Sequence, residues 1–139
     1  SIVRVSDAIV LFTQVGDEFW LKTPTLDIST TTLTTSSSSF ALASIPTGLV
    51  MPITFNLTVS HGSSDVQVYV RNPDDTDSAP ATGTAPLGTI KAAASGGALQ
   101  AQATVRCNTS ATVAARSTAS NTSLQGAPIR YVHPRGKNA

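Results

Sequence analysis

Chemistry in this chain of 139 residues would rest on very few side chains. It has one cysteine, Cys107, and two histidines, His61 and His133. A thiolate nucleophile needs an imidazole within hydrogen-bond reach. Cys107 instead continues the alternation of Leu99, Ala101, Ala103 and Val105 in "LQAQATVRC", which points it into a core as a small hydrophobe. His61 opens the turn "HGSSD", and His133 precedes Pro134, which holds it extended at a strand end. The carboxylates that cluster are Asp74, Asp75 and Asp77 in "NPDDTD". Several loop oxygens suit Ca²⁺, but this run has neither the glycine nor the distal glutamate of a calcium loop. Asn followed by Pro is ordinary turn chemistry. The expectation is a protein that is not an enzyme, with no metal site and no cofactor.

The elements that carry these residues read as strands. In "ITFNLTVS", Ile53, Phe55, Leu57 and Val59 share one face, and Thr54, Asn56, Thr58 and Ser60 the other. That period of two marks a half-buried antiparallel strand. "VQVYV" follows the turn with Val66, Val68 and Val70 on one side, so residues 52–71 read as a hairpin. A long loop rich in Pro, Gly and Asp comes next, then short strands at "LGTIK", "ALQAQATVRC", "ATVAARST" and "APIRYVHP", the last entered through a turn at Gly126 and Pro128. "SIVRVS", "IVLFTQ" and "EFWLKTP" suggest further strands near the N-terminus, with "GDE" as a tight turn. No stretch keeps the 3.6-residue period of a helix. The expected fold is all-β, an antiparallel β-sandwich of jelly-roll type. Residues 1–39 would form N-terminal strands or an arm for attachment or subunit exchange, and residues 40–139 the sandwich.

Composition limits the partners. Charged residues make up 12% of the chain, about half the usual ~25%, and Ser and Thr take their place. A surface of that kind suits contact with copies of itself. All eight acids lie at or before Asp77, with only Arg4, Lys22 and Arg71 as bases there; the other six bases follow. The simplest arrangement folds the two parts against each other so that the charges mix. The segment "IRYVHPRGK" groups Arg130, Arg135 and Lys137 around an aromatic ring, too few bases for a nucleic-acid module. No window holds the ~18 apolar residues of a membrane helix. With no basic-then-apolar leader, the sequons at Asn56, Asn108 and Asn121 are expected to be unglycosylated.

The segments "IPTGLVMPITFNLTVS", "VQVYVRNPDDTDSAPATG", "LQAQATVRCNTS" and "GAPIRYVHPRGK" together resemble the C-terminal β-domain of tailed-bacteriophage fibre and receptor-binding proteins. The likeness covers about residues 45–137. Near the end, this chain has Tyr131 and His133–Pro134 where that family often has Trp and Asp. The resemblance implies a virion structural protein, assembled in the host cytoplasm, usually a homotrimer at a fibre tip. Its partners would be copies of itself, other virion proteins and a host-surface glycan or protein. Because receptor contacts gather on loops held by a rigid scaffold, Tyr69, Asp74, Asp75 and Asp77 are the expected contact residues, with Tyr69 either a sugar-stacking ring or, equally, part of a buried trimer axis. Arg130, Tyr131 and Arg135 are the expected inter-subunit residues, the arginines pairing with acids of the first part. The alternatives are a capsid decoration or head–tail joining protein without a receptor role, and a secreted carbohydrate-binding β-sandwich.

Overall fold

The computed structural model describes residues 2–5, 8–62, 65–77, 90–95 and 98–133. These residues form strands and connections, with no helix. In chain order the strands are β1 (Ile2–Val5), β2 (Ala8–Val15), β3 (Glu18–Leu21), β4 (Ile28–Leu33), β5 (Ser38–Ala41), β6 (Pro52–Ser60), β7 (Asp65–Arg71), β8 (Ile90–Ser95), β9 (Ala98–Arg106), β10 (Thr112–Ser117) and β11 (Thr122–Val132). They build two antiparallel sheets, consistent with a β-sandwich. One runs β1-β2-β3-β11-β6-β9, with β4 also paired to β11; the other runs β5-β10-β7-β8.

The pairing from β4 onward is nested. β7 pairs with β8, β6 with β9, β5 with β10 and β4 with β11. Each later strand folds back onto a progressively earlier one. β6 and β7 therefore do not form the hairpin that their alternation suggests. β6 and β7 lie in different sheets, and each finds its partners elsewhere. Alternation reports which face is buried and says nothing about the neighbour. The boundary expected after residue 39 falls inside β5, and β4 already lies along β11. The Thr/Ser-rich run thus supplies an edge strand to each sheet.

The inward stripes read from sequence form the core. Ile53, Phe55, Leu57 and Val59 are at most 2% exposed, as are Val66, Val68 and Val70. Ile28 and Leu33 of β4, Val105 of β9, Val113 of β10 and Leu124 of β11 join them. Leu99 is the exception in its stripe, at 39% exposed, because it lies next to the start of β9, at the margin of the sheet.

The last strand is longer than its sequence signals suggest. It begins at Thr122, and Gly126 lies in mid-strand rather than in a turn. It pairs along one edge with β6 and along the other with β4 and then β3. Pro128, which cannot donate a ladder hydrogen bond, coincides with a register shift between residues 128 and 130. A Cβ on Gly126 would stand 2.9 Å from Leu57 Cδ2 and 3.2–3.3 Å from Ile28 atoms, so the absent side chain leaves room for Leu57 of β6 and Ile28 of β4 to close over β11 from its two flanks.

At the turn that carries the chain from β10 in one sheet to β11 in the other, the hydroxyls of Ser117 and Thr122 bond each other at 2.8 Å, and Thr122 donates to the Ala119 carbonyl at 2.8 Å. Replacing Gly126 with alanine overfills the β4–β6 contact. The expected cost is ~1–3 kcal/mol, read as a lower denaturant midpoint with an unchanged slope. A midpoint equal to that of the parent would contradict the packing described.

Candidate functional site

Two groups of polar side chains stand out from the core. The first sits where β7 ends. Arg71, 9% exposed, turns back into the connection that follows it. Its Nη1 donates to the carbonyls of Asn72, Pro73 and Asp75, each at 3.1 Å; its Nη2 donates to Ser37 Oγ at 2.9 Å. Its Nε lies 3.3 Å from Asp77. A guanidinium has five donors in a fixed fork, so one side chain shapes residues 72–77. Asn72 completes the turn: its Oδ1 accepts from the Asp74 amide at 2.9 Å, and its Nδ2 donates to the Cys107 carbonyl at 3.3 Å.

Two more arginines reach the same loop from neighbouring strands. Arg106 of β9 pairs with Asp75 at 3.1 Å, and Arg116 of β10 pairs with Asp77 at 2.9 Å. Asp75 and Asp77 are thus neutralised from within the chain, while Asp74 is an exposed carboxylate at the tip. Tyr69 does not meet the expectation of a surface stacking ring. It shares a face of β7 with Arg71 and is in register with Arg116, and it is 3% exposed.

The second group lies on the outward face of the larger sheet. Arg130 of β11 is aligned with Trp20 of β3 and Thr54 of β6. Its guanidinium sits 5.2 Å from the centre of the Trp20 ring, its Nε donates to Thr54 Oγ1 at 3.1 Å, and its Nη1 pairs with Glu18. Thr54 in turn bonds Thr104 at 3.0 Å. Arg130 therefore pairs with an acid of the first part, as expected from charge, but inside its own chain. Tyr131 points the other way. It is 2% exposed and stacks on Phe19 with ring centres 5.1 Å apart and planes within 6°. Phe19 also meets Phe12 edge-on at 4.8 Å and His133 at 6.0 Å. Arg135 lies outside the described residues.

The residues weighed for nucleophilic chemistry occupy separate environments. Cys107 is fully buried, its thiol donates to the Leu49 carbonyl at 3.7 Å, and burial raises its pKa. His61 Nε2 donates to the Ser120 carbonyl at 3.0 Å. Sequence reasoning missed Trp20, which is 39% exposed. The available signal was its place in "EFWL", where alternation puts Phe19 and Leu21 inward and Trp20 outward.

A search against protein-family models, curated proteins and solved structures found no match to this chain.

Two measurements probe these groups. Arg71→Ala leaves three carbonyls and Ser37 Oγ without this donor, with Asp77 paired to Arg116 alone, and should cost ~2–3 kcal/mol, with faster proteolysis between residues 72 and 77; unchanged resistance would contradict the role given to Arg71. Burial raises the Tyr131 phenol to about 12, above its unfolded value near 10. Its contribution is complete below pH ~10 and is lost as pH rises toward 12. The parent should therefore lose more stability than Tyr131→Phe between pH 9 and ~11; parallel denaturation midpoints would contradict this.

Proposed function

We propose that this chain is a structural module of a bacteriophage virion, a homotrimeric fibre or tail-tip domain that meets the host surface. The observation that carries the reading is the nested strand pairing, β7 with β8 out to β4 with β11. We read this nesting as a long hairpin wound into a jelly roll, a scaffold common to viral capsid and lectin domains. The resemblance of residues 45–137 to phage fibre domains points the same way.

The surface supports this reading. On the larger sheet, Ser29, Gln125, Thr58 and Gln100 align across four strands, and Asn56 aligns with Gln102 in the next row. These outward rows carry hydroxyls and amides rather than charge. Arg106–Asp75, Arg116–Asp77 and Arg130–Glu18 close inside the chain, which leaves few free charges to oppose the approach of an identical surface. The host contact falls to the loop tip around Asp74 and to outward-facing aromatic surface, since Tyr69 is enclosed.

A capsid decoration or head–tail joining role is the second reading, favoured by the strands β1–β3, which extend the sheet beyond the paired layers.

Light scattering and cell binding test both. The fibre reading expects a three-chain mass and binding of fluorescently labelled protein to a susceptible bacterium. A monomer overturns the trimer. A trimer that binds no cell in a broad bacterial panel favours decoration over host contact.

A further inference from the structure

The outward face of the larger sheet carries a recess over the paired strands β6 and β9. Its volume is about 410 Å³, within the ~300–1,000 Å³ of small-ligand sites. Register sets Asn56 opposite Gln102 and Thr58 opposite Gln100, and these four side chains line it. Leu57 and Ala101, which lie between them, line it as well. Leu57 is turned into the core, so the recess opens on the outward side.

The base of the recess is already in place. β6 is hydrogen-bonded to β11 along one edge and to β9 along the other. Beneath it, Phe55, Leu57 and Val59 belong to the enclosed core. A ligand therefore has to order the amide side chains but not the backbone that carries them.

The chemistry of the walls selects the ligand. Each primary amide offers two N–H donors and a carbonyl acceptor in one plane, and Thr58 adds a hydroxyl. Gln102 Nε2 donates to Asn56 Oδ1 at 3.4 Å. That bond leaves the Asn56 donors, the Gln102 carbonyl and the Gln100 amide facing outward on exposed residues. Groups that give and accept at close spacing match a ligand whose own groups do both, as sugar hydroxyls do. No acid or base lines the recess, and Arg130, on the flanking row with Thr54, is already paired with Glu18. An ion would be desolvated here without a counter-charge. A nucleic acid would find no base for its phosphates, and an apolar ligand no apolar walls. An extended peptide adds itself to a sheet edge, whereas this recess lies on a face.

We propose that the recess between Asn56, Thr58, Gln100 and Gln102 binds an uncharged glycan. This rests on the host-contact reading above and gives it a ligand class and a place. The same face carries the exposed ring of Trp20, an apolar surface on which a longer sugar chain would stack.

The side-chain amides report on binding directly. The full chain, in its own oligomeric state and labelled for nitrogen NMR, is titrated with a panel of neutral oligosaccharides. The panel is built from glucose, galactose, mannose, rhamnose and N-acetylglucosamine. A sialylated oligosaccharide and a heparin fragment serve as charged probes. The proposal expects a neutral sugar to shift the amide resonances of Asn56, Gln100 and Gln102 to saturation, and the charged probes to leave them in place. Gln100→Ala/Gln102→Ala is expected to bind that sugar ~10-fold more weakly. Both positions are exposed, so its circular dichroism and thermal midpoint should match the parent's. If it does not fold, Gln102→Glu decides by the same loss of affinity. Unchanged affinity in the variant, or shifts confined to other residues, overturns the recess. So does a panel in which no neutral sugar binds, the result required if this face is buried between subunits. Labelled parent and variant are then applied to bacteria. Equal cell binding by the two overturns the recess and leaves host contact intact. A sugar bound at these amides by a protein that binds no cell upholds the recess and overturns host contact.

Discussion

One strand is hydrogen-bonded along both edges for most of its length, and the larger sheet is organised around it. β11 joins β6 on one side to β4 and β3 on the other. This needs a place where neighbouring side chains come closer than a Cβ permits, and Gly126 is that place. It also needs a local change of register where proline interrupts the ladder, which falls between residues 128 and 130. Both conditions lie within five residues of sequence. The same short segment then sends Arg130 outward to Glu18 and Trp20, and Tyr131 inward to Phe19. The sheet, the outer polar row and the inner aromatic ladder are therefore set by the geometry of one strand.

Charge is handled in a similar way. The sequence separates its acids from most of its bases, and the fold returns them to each other in pairs. Each of the pairs made by Arg106, Arg116 and Arg130 joins a base from the second part to an acid from the first. Exposed pairs of this sort contribute little stability singly. Their larger effect is on what the surface presents: rows of hydroxyls and amides, with these six formal charges matched in pairs. Arg71 differs, since it is enclosed and spends most of its donors on backbone carbonyls. It organises a loop rather than a surface.

The fold class was legible where a single face of a strand is buried. The alternation of Ile53 to Val59 and of Val66 to Val70 identifies both strands and their inward sides, and every one of those residues is enclosed. Partnership was not legible, because the period of two is blind to which strand lies alongside. Thus β6 and β7 looked like a hairpin and belong to different sheets. Gly126 and Pro128 looked like a turn because those residues usually are one; close packing and a bulge gave them another use. Alternation put Tyr69 on the face opposite Val68 and Val70 and could not show that the ring there is 3% exposed. Trp20 went unnoticed for the converse reason: it sits outward in a short segment whose neighbours are core.

The nested pairing bears on the order in which the chain can fold. β4 meets β11 through Ile28 and Gly126, a loop closure spanning most of the sequence, and contacts this distant make folding slow. During synthesis the first strands emerge long before the last. Phe12 and Phe19 are made early, and the ring that Phe19 stacks upon belongs to Tyr131. Until that residue leaves the ribosome, strands β1–β3 have water on the side that later becomes core. A nascent chain carrying such a segment has reason to stay shielded, and a mature one keeps Leu11, Val15 and Trp20 on view.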